Sequence, residues 1–229
     1  MTRKAQNAIA IAASLLWATL FILYNCKWSD PITATVVDSE TGQPIEGVVV
    51  VADWRLKGGL EGGNPVGHLA LMEAVTDKAG TFHFLGWGPR LSFSILRDWE
   101  PELFFFKNGY SYLYMVNQPN SRWYSWQANS SVDGTHVKLK QFRGTPKEYA
   151  EKMGDFGRTL ESYFFGDDKS CAWKRIPRMI AAMDEQVQSL PGYIEGRFSA
   201  PHHQLLDAEE YYLKIGCGSA KEFLTGITK

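Results

Sequence analysis

Cysteine is scarce in this chain: 229 residues hold only Cys26, Cys171 and Cys217. No His, Cys, Asp and Glu fall at metal-ligand spacing, and no His-x-x-Glu zinc pair exists. The adjacent His202 and His203 point in different directions on either a helix or a strand, so a metal site there needs distant partners. There is no nucleophile–base pair and no glycine-rich phosphate loop. Charge of one sign is also missing. A formal net charge of −1 excludes bulk nucleic-acid binding, which needs a concentrated basic surface to displace counterions. Long charge runs, low-complexity tracts and internal repeats are absent too. These absences predict no enzyme, no cofactor, no metal and no nucleic-acid partner. What the chain does have is apolar substance: 45% apolar and 14% aromatic residues, enough for a sizeable core.

One long hydrophobic run stands at the N-terminus. Arg3 and Lys4 precede an apolar stretch from Ala8 to Tyr24, broken only by Ser14 and Thr19. As a helix this stretch reaches about 26 Å, slightly short of a ~30 Å hydrocarbon core. Trp17, Tyr24 and Trp28 add interfacial character. Basic residues ahead of the run favour an N-in orientation, with the rest outside the cytoplasm. Three fates compete for residues 1–28. A cleaved signal peptide wants small residues just past the apolar core, and Phe21 to Trp28 offers none. A bacterial lipoprotein signal would lipidate Cys26; Leu23 and Cys26 fit its pattern, Tyr24 and Asn25 do not. An uncleaved signal anchor needs nothing more and is the leading expectation. Each fate places the protein at the periplasm or exterior of a bacterial-type cell. Export leaves Cys171 and Cys217 as a pair in an oxidising compartment, where a disulfide is the default; the alternative is two buried free thiols.

Ile32 to Val37 reads as a strand, with Ile32, Ala34 and Val36 on one face. Asp38-Ser39-Glu40-Thr41-Gly42 is a turn, Pro44 stiffens its exit, and Ile45 points to the core. The unbroken run Gly47 to Ala52 suggests a strand buried on both faces. A hairpin follows: Glu73 to Thr76, the turn Asp77-Lys78-Ala79-Gly80, then Thr81 to Leu85, with Phe82 and Phe84 on one face. Between Trp54 and Met72, residues 55–68 read as a long glycine-rich loop, either binding or spacer. Asp38 and Asp77 sit where a calcium ion would bind, although turn capping alone explains them.

The pattern Val37-Asp38-x-x-Thr41-Gly42-x-Pro44-Ile45-x-Gly47-Val48-x-Val50, then Thr76-Asp77-x-x-Gly80-x-Phe82-x-Phe84, resembles the carboxypeptidase regulatory-like domain. Pro101 to Tyr110 is similar to that family's later segment of strand, basic residue and Gly-Tyr, and His136 to Phe142 would close the sheet. The resemblance covers about half the chain, residues 31–142. It implies a transthyretin-like, seven-stranded β-sandwich and a non-catalytic module, accessory to enzymes or part of an envelope protein. It therefore implies fold more than function.

Composition shifts after Phe142, and residues 143–229 read as a helical extension of three or four helices. Thr145-Pro146-Lys147-Glu148 is a helix start with a capping box. Tyr149, Met153, Phe156, Leu160 and Phe164 form one stripe. A second stripe runs Trp173, Ile176, Ile180, Met183, Val187, Leu190, where Pro177 kinks the helix or marks its true start. Asp207 to Ile215 is a third helix, and Ser219 opens a last turn or two. The fold expected overall is mainly β with a helical C-terminal extension, an α+β chain behind an N-terminal transmembrane or signal helix.

The surface feature with functional promise is aromatic. Tyr110, Tyr112 and Tyr114 alternate as on one strand face, followed by Arg122, Trp123, Tyr124 and Trp126. Such rings grip a partner's surface or stack on sugars, or else fill the seam between sheet and helix. The leading expectation is a non-enzymatic, membrane-anchored module for protein–protein or cell-envelope contacts. Tyr112, Tyr114, Arg122, Trp123, Tyr124 and Trp126 are the residues expected to bind a ligand or partner; the alternative is a carbohydrate-binding module, its partner an envelope polysaccharide, using Trp123, Tyr124 and Trp126.

Overall fold

In a computed structural model of the chain, the described residues are 3–58, 64–91, 101–116, 130–165, 171–190 and 201–227. The first helix, α1 (Arg3–Asn25), is longer than the apolar run alone, because Arg3 to Asn7 and Asn25 join it. At ~1.5 Å per residue it reaches roughly 34 Å, enough for a hydrocarbon core. Its stretch Arg3–Ile22 is long and apolar enough to cross a membrane, by length and composition, and none of it is buried.

Nine strands follow among the described residues, in three sheets, rather than the seven expected. β2 (Ile32–Asp38) lies between β5 (Thr81–Phe84), antiparallel, and β9 (His136–Leu139), parallel. A second sheet runs in the order β4 (Asn64–Val75), β3 (Val49–Gly58), β7 (Glu102–Phe106), β8 (Leu113–Val116). β1 (Cys26–Ser29) pairs with β6 (Trp87–Leu91). Thus the first strand begins inside the segment assigned to the anchor. The expected glycine-rich loop at 55–68 is also corrected: β3 runs on to Gly58 and β4 starts at Asn64, paired across two register shifts. Glycine content misled here because glycine in a strand marks a bulge as readily as a loop: Gly67, with φ +138°, pairs with Leu56 at one of the two shifts.

The four-stranded sheet is the middle of three layers, which is why β3 is apolar on both sides. Val48, Val50, Ala52 and Trp54 turn to the three-stranded sheet, meeting Ile32, Ala34, Val36, Phe82, Phe84, Leu103 and Phe105. Val49 and Val51 turn the other way, with Leu71, Phe104 and Phe106, to the helices. Two turns close the end of the sandwich away from α1. The Asp38 carboxylate accepts from the amides of Glu40 and Thr41 at 2.9 and 2.8 Å. Asp77 does the same for Ala79 and Thr81. Gly80 has φ +70°, and a Cβ there would sit 2.5 Å from the Val36 carbonyl, so only glycine fits. The buried Thr76 hydroxyl accepts from the Val48 amide and donates to the Ile45 carbonyl, tying the same end together.

The helical layer holds five α-helices and a 3-10 turn among the described residues, more than the three or four expected. α2 (Pro146–Phe164) has its capping box, Thr145 with Glu148, and buries Tyr149, Met153, Phe156, Leu160 and Phe164. Pro177 marks a true helix start: a 3-10 turn (Ala172–Arg175) precedes α3 (Pro177–Gln188). The sheet itself caps α3, since Glu73 of β4 accepts from the amides of Arg178 and Met179 at 3.0 and 2.7 Å. α5 (Glu209–Lys214) falls where the helix Asp207 to Ile215 was expected, and α4 (Pro201–Asp207) precedes it as a further helix. Glu209 caps α6 (Ala220–Ile227) through the Ala220 and Lys221 amides. A disulfide joins Cys171 to Cys217, beside Trp173, which packs on Tyr212 and Phe223.

Candidate functional site

Strand parity carries the helix-facing side of β3 from Val49 and Val51 on to Asp53 and Arg55, so the apolar face ends in charge. Asp53 is fully buried, and its Oδ1 lies 2.6 Å from Nδ1 of His68 on β4. The His68 side chain is 3% exposed, and its ring stacks on Phe164 of α2 at 6.0 Å. Glu102, opposite Asp53 on β7, lies 4.0 Å from the Arg55 guanidinium. That guanidinium covers the Tyr163 ring at 3.8 Å and donates to the Ser162 carbonyl. The Tyr163 and Tyr114 hydroxyls are hydrogen-bonded at 2.8 Å. Burial raises the Tyr163 phenol far above its ordinary value, and the bonds to Tyr114 and Glu102 add to the rise. Four strands and one helix thus converge on one polar cluster, where each charge has a counterpart in reach. The Asp53–His68 pair has the layout of a base held by its orienting carboxylate. Its enclosure between sheet and α2 makes it an interior tie rather than an open reaction centre.

A concavity lies at the end of the sandwich away from α1. It measures about 350 Å³ and is lined by Asp38, Glu40, Glu46, Tyr110 and Arg143 among others. Its groups are occupied with one another: Arg143 bonds Glu40, and Tyr110 bonds Asp38. The backbone amides of Thr41 and Glu40 lower the Asp38 carboxyl below its ordinary value. Asp38 therefore serves its own turn, as Asp77 does. Among the described residues no group of three or more His, Cys, Asp or Glu side chains is placed to hold a metal.

The tyrosine alternation is corrected in part. Tyr110 packs against the sandwich core, whereas Tyr112 packs against the helical layer, because β8 begins only at Leu113. Tyr112 stacks on Phe156 of α2 at 4.5 Å, and Tyr114 lies tilted against Phe104 at 5.0 Å and bonds Tyr163 of α2, so both take part in the seam between sheet and helix. Arg122, Trp123, Tyr124 and Trp126 lie outside the described residues. Cys26 is a half-buried free thiol at the start of β1. His83 bonds the Thr33 hydroxyl at 2.7 Å on the exposed face of β5, and His136 is exposed on β9. Sequence reasoning missed Asp53 and His68. A signal existed, since a carboxylate two residues after a buried valine in a strand requires a partner. No spacing pointed to His68 as that partner.

The sequence matches no known family model and no curated protein.

Proposed function

We propose that the chain is a non-enzymatic module anchored by α1 in a bacterial-type membrane, facing the periplasm or exterior, and serving protein–protein or envelope contacts. A carboxypeptidase regulatory-like, transthyretin-like sandwich at 31–142 is its scaffold, and the helical extension at 143–229 packs on it. The observation that carries this reading is α1: its stretch Arg3–Ile22 is apolar and unburied, and the helix is followed directly by β1. A soluble protein would bury such a surface. The disulfide supports an oxidising compartment, and the sealed Asp53–His68 pair supports a structural role for the ionisable residues. The carbohydrate-binding alternative rests on Trp123, Tyr124 and Trp126, which lie outside the described residues.

Spheroplasts of a bacterial host expressing the full chain test the topology. External protease is expected to degrade residues beyond α1 while a cytoplasmic marker survives. Degradation only after lysis would overturn the orientation.

A further inference from the structure

α1 passes without a linker into a β-ribbon, β1 with β6, which only residues 30–31 and 85–86 separate from β2 and β5 of the sandwich. Cys26 lies opposite Leu91 and Lys27 opposite Arg90; after one irregularity Ser29 lies opposite Trp87. The next sheet resumes with Ile32 opposite Phe84, at the offset of the Ser29–Trp87 pair, and holds it to Thr35 opposite Thr81. The strands that leave the membrane helix therefore run on, at one offset, into strands that build the sandwich. The ribbon is packed too tightly to flex freely. Asn25, Lys27 and Ser29 are 6%, 3% and 5% exposed. A Cβ on Gly88 would stand 2.5 Å from the Trp28 Cβ, and one on Gly86 2.9 Å from the Ser29 carbonyl. Trp87 packs edge-on against Trp54 at 5.7 Å, and Arg90 donates to the Leu69 carbonyl of β4. Two large apolar side chains of this region face outward: Leu85 is 69% exposed at the sandwich end, and Leu91 is 58% exposed beside the exit of α1, whose Leu20, Phe21 and Ile22 are 50–58% exposed. The apolar surface of the helix thus continues onto β6.

The geometry points to the β1–β6 ribbon as a membrane-contact element that seats Leu91 in the lipid interface and holds the sandwich end-down. This rests on the anchored reading of α1. The turns at Asp38 and Asp77 then face away from the bilayer. At ~3.3 Å per residue, Cys26 to Asp38 spans up to about 40 Å, which sets the height of that end. Without a linker the domain has no freedom to lie on its side.

The test uses the full chain with Cys26→Ser, its disulfide intact, in vesicles of phosphatidylethanolamine and phosphatidylglycerol that carry nitroxide-labelled lipids. A fluorophore is placed in turn through Leu16→Cys, Leu91→Cys and Thr41→Cys. Strong quenching is expected at Leu16 by acyl-chain nitroxide. Quenching at Leu91 by headgroup nitroxide should be at least five-fold that at Thr41. A Gly-Ser-Gly-Ser insertion between Asn25 and Cys26 should at least halve the Leu91 signal and leave Leu16 unchanged. Equal quenching at Leu91 and Thr41, or a Leu91 signal indifferent to the insertion, would overturn the docked ribbon while α1 remains inserted. Loss of quenching at Leu16 would instead sink the anchored reading, and the docked ribbon with it.

Discussion

The two faces of the four-stranded sheet are built by different rules. Toward the three-stranded sheet, β3 and β7 send only apolar side chains: Val50, Ala52, Trp54, Leu103 and Phe105, each at most 1% exposed. Toward the helices the same strands send Val49, Val51, Phe104 and Phe106, then Asp53, Arg55 and Glu102. The apolar face is held by area and shape alone, at roughly 25 cal/mol per Å² of surface removed from water. The mixed face adds directional ties to the helices: Arg55 on the Ser162 carbonyl, the Glu73 cap on α3 and the Tyr149 hydroxyl, which accepts from the Gly109 amide and donates to the Tyr110 carbonyl. A helix on an apolar sheet can slide or rotate at little cost; the polar ties give the helical layer one register.

The contrast is broken most severely at Asp53. Asp53→Ala removes the fully buried carboxylate that the His68 ring bonds at 2.6 Å, and losing one partner of such a pair should cost about 3–5 kcal/mol. That matches Phe105→Ala on the apolar face, where cavity formation costs about 3–5 kcal/mol. Denaturant unfolding of the full chain in detergent measures both; a loss under about 1 kcal/mol for Asp53→Ala would show that the mixed face is held by area alone.

Next is the disulfide, which closes a sequence separation of 46 and is worth roughly 4 kcal/mol on chain-entropy grounds. Reduction should loosen the mixed face first. Amide-exchange protection is expected to fall in α3, α5 and α6 while β2 and β5 keep theirs. Uniform loss across both layers would erase the distinction.

The smallest effect is a difference in sign between two helix-capping glutamates. Burial raises Glu73 above the ordinary 4.5, outweighing its bonds to Met179 and Arg178. The folded state therefore binds that proton more tightly than the unfolded. Its contribution is fully present below pH 4.5 and is lost as pH rises through the folded value. Glu209 is lowered, first by its bond to Ser219 and then by the Ala220 and Lys221 amides. Its contribution is present above the ordinary value and is lost as pH falls through the folded one. Stability differences between the parent and Glu73→Gln or Glu209→Gln, measured from pH 3 to 7, should slope in opposite directions. Parallel slopes would contradict the assignment.

The apolar face was legible in the sequence because its rules are local. Alternation in Ile32–Val36 and Phe82–Phe84, turn chemistry at Asp38 and Asp77, and the two-sided valine run each lie within one segment. The stripe of α2, its capping box and the cysteine pair were legible for the same reason. The mixed face was not. Asp53, His68, Glu102, Tyr114 and Tyr163 come from five elements, and only tertiary register brings them together. His68 was further hidden by glycines at 58, 59, 62, 63 and 67, which read as loop although Gly58 and Gly67 are strand. The ribbon from α1 was hidden in turn, because β1 is four residues long and its partner β6 lies some sixty residues on, beyond any local signal.

Intact mass of the full chain, taken from the membrane fraction of a bacterial host with and without reductant and alkylation, tests the anchored extracytoplasmic reading most directly. We expect an uncleaved N-terminus in the membrane, with two thiols that alkylate only after reduction. A soluble, shortened product, or Cys171 and Cys217 free before reduction, would contradict it.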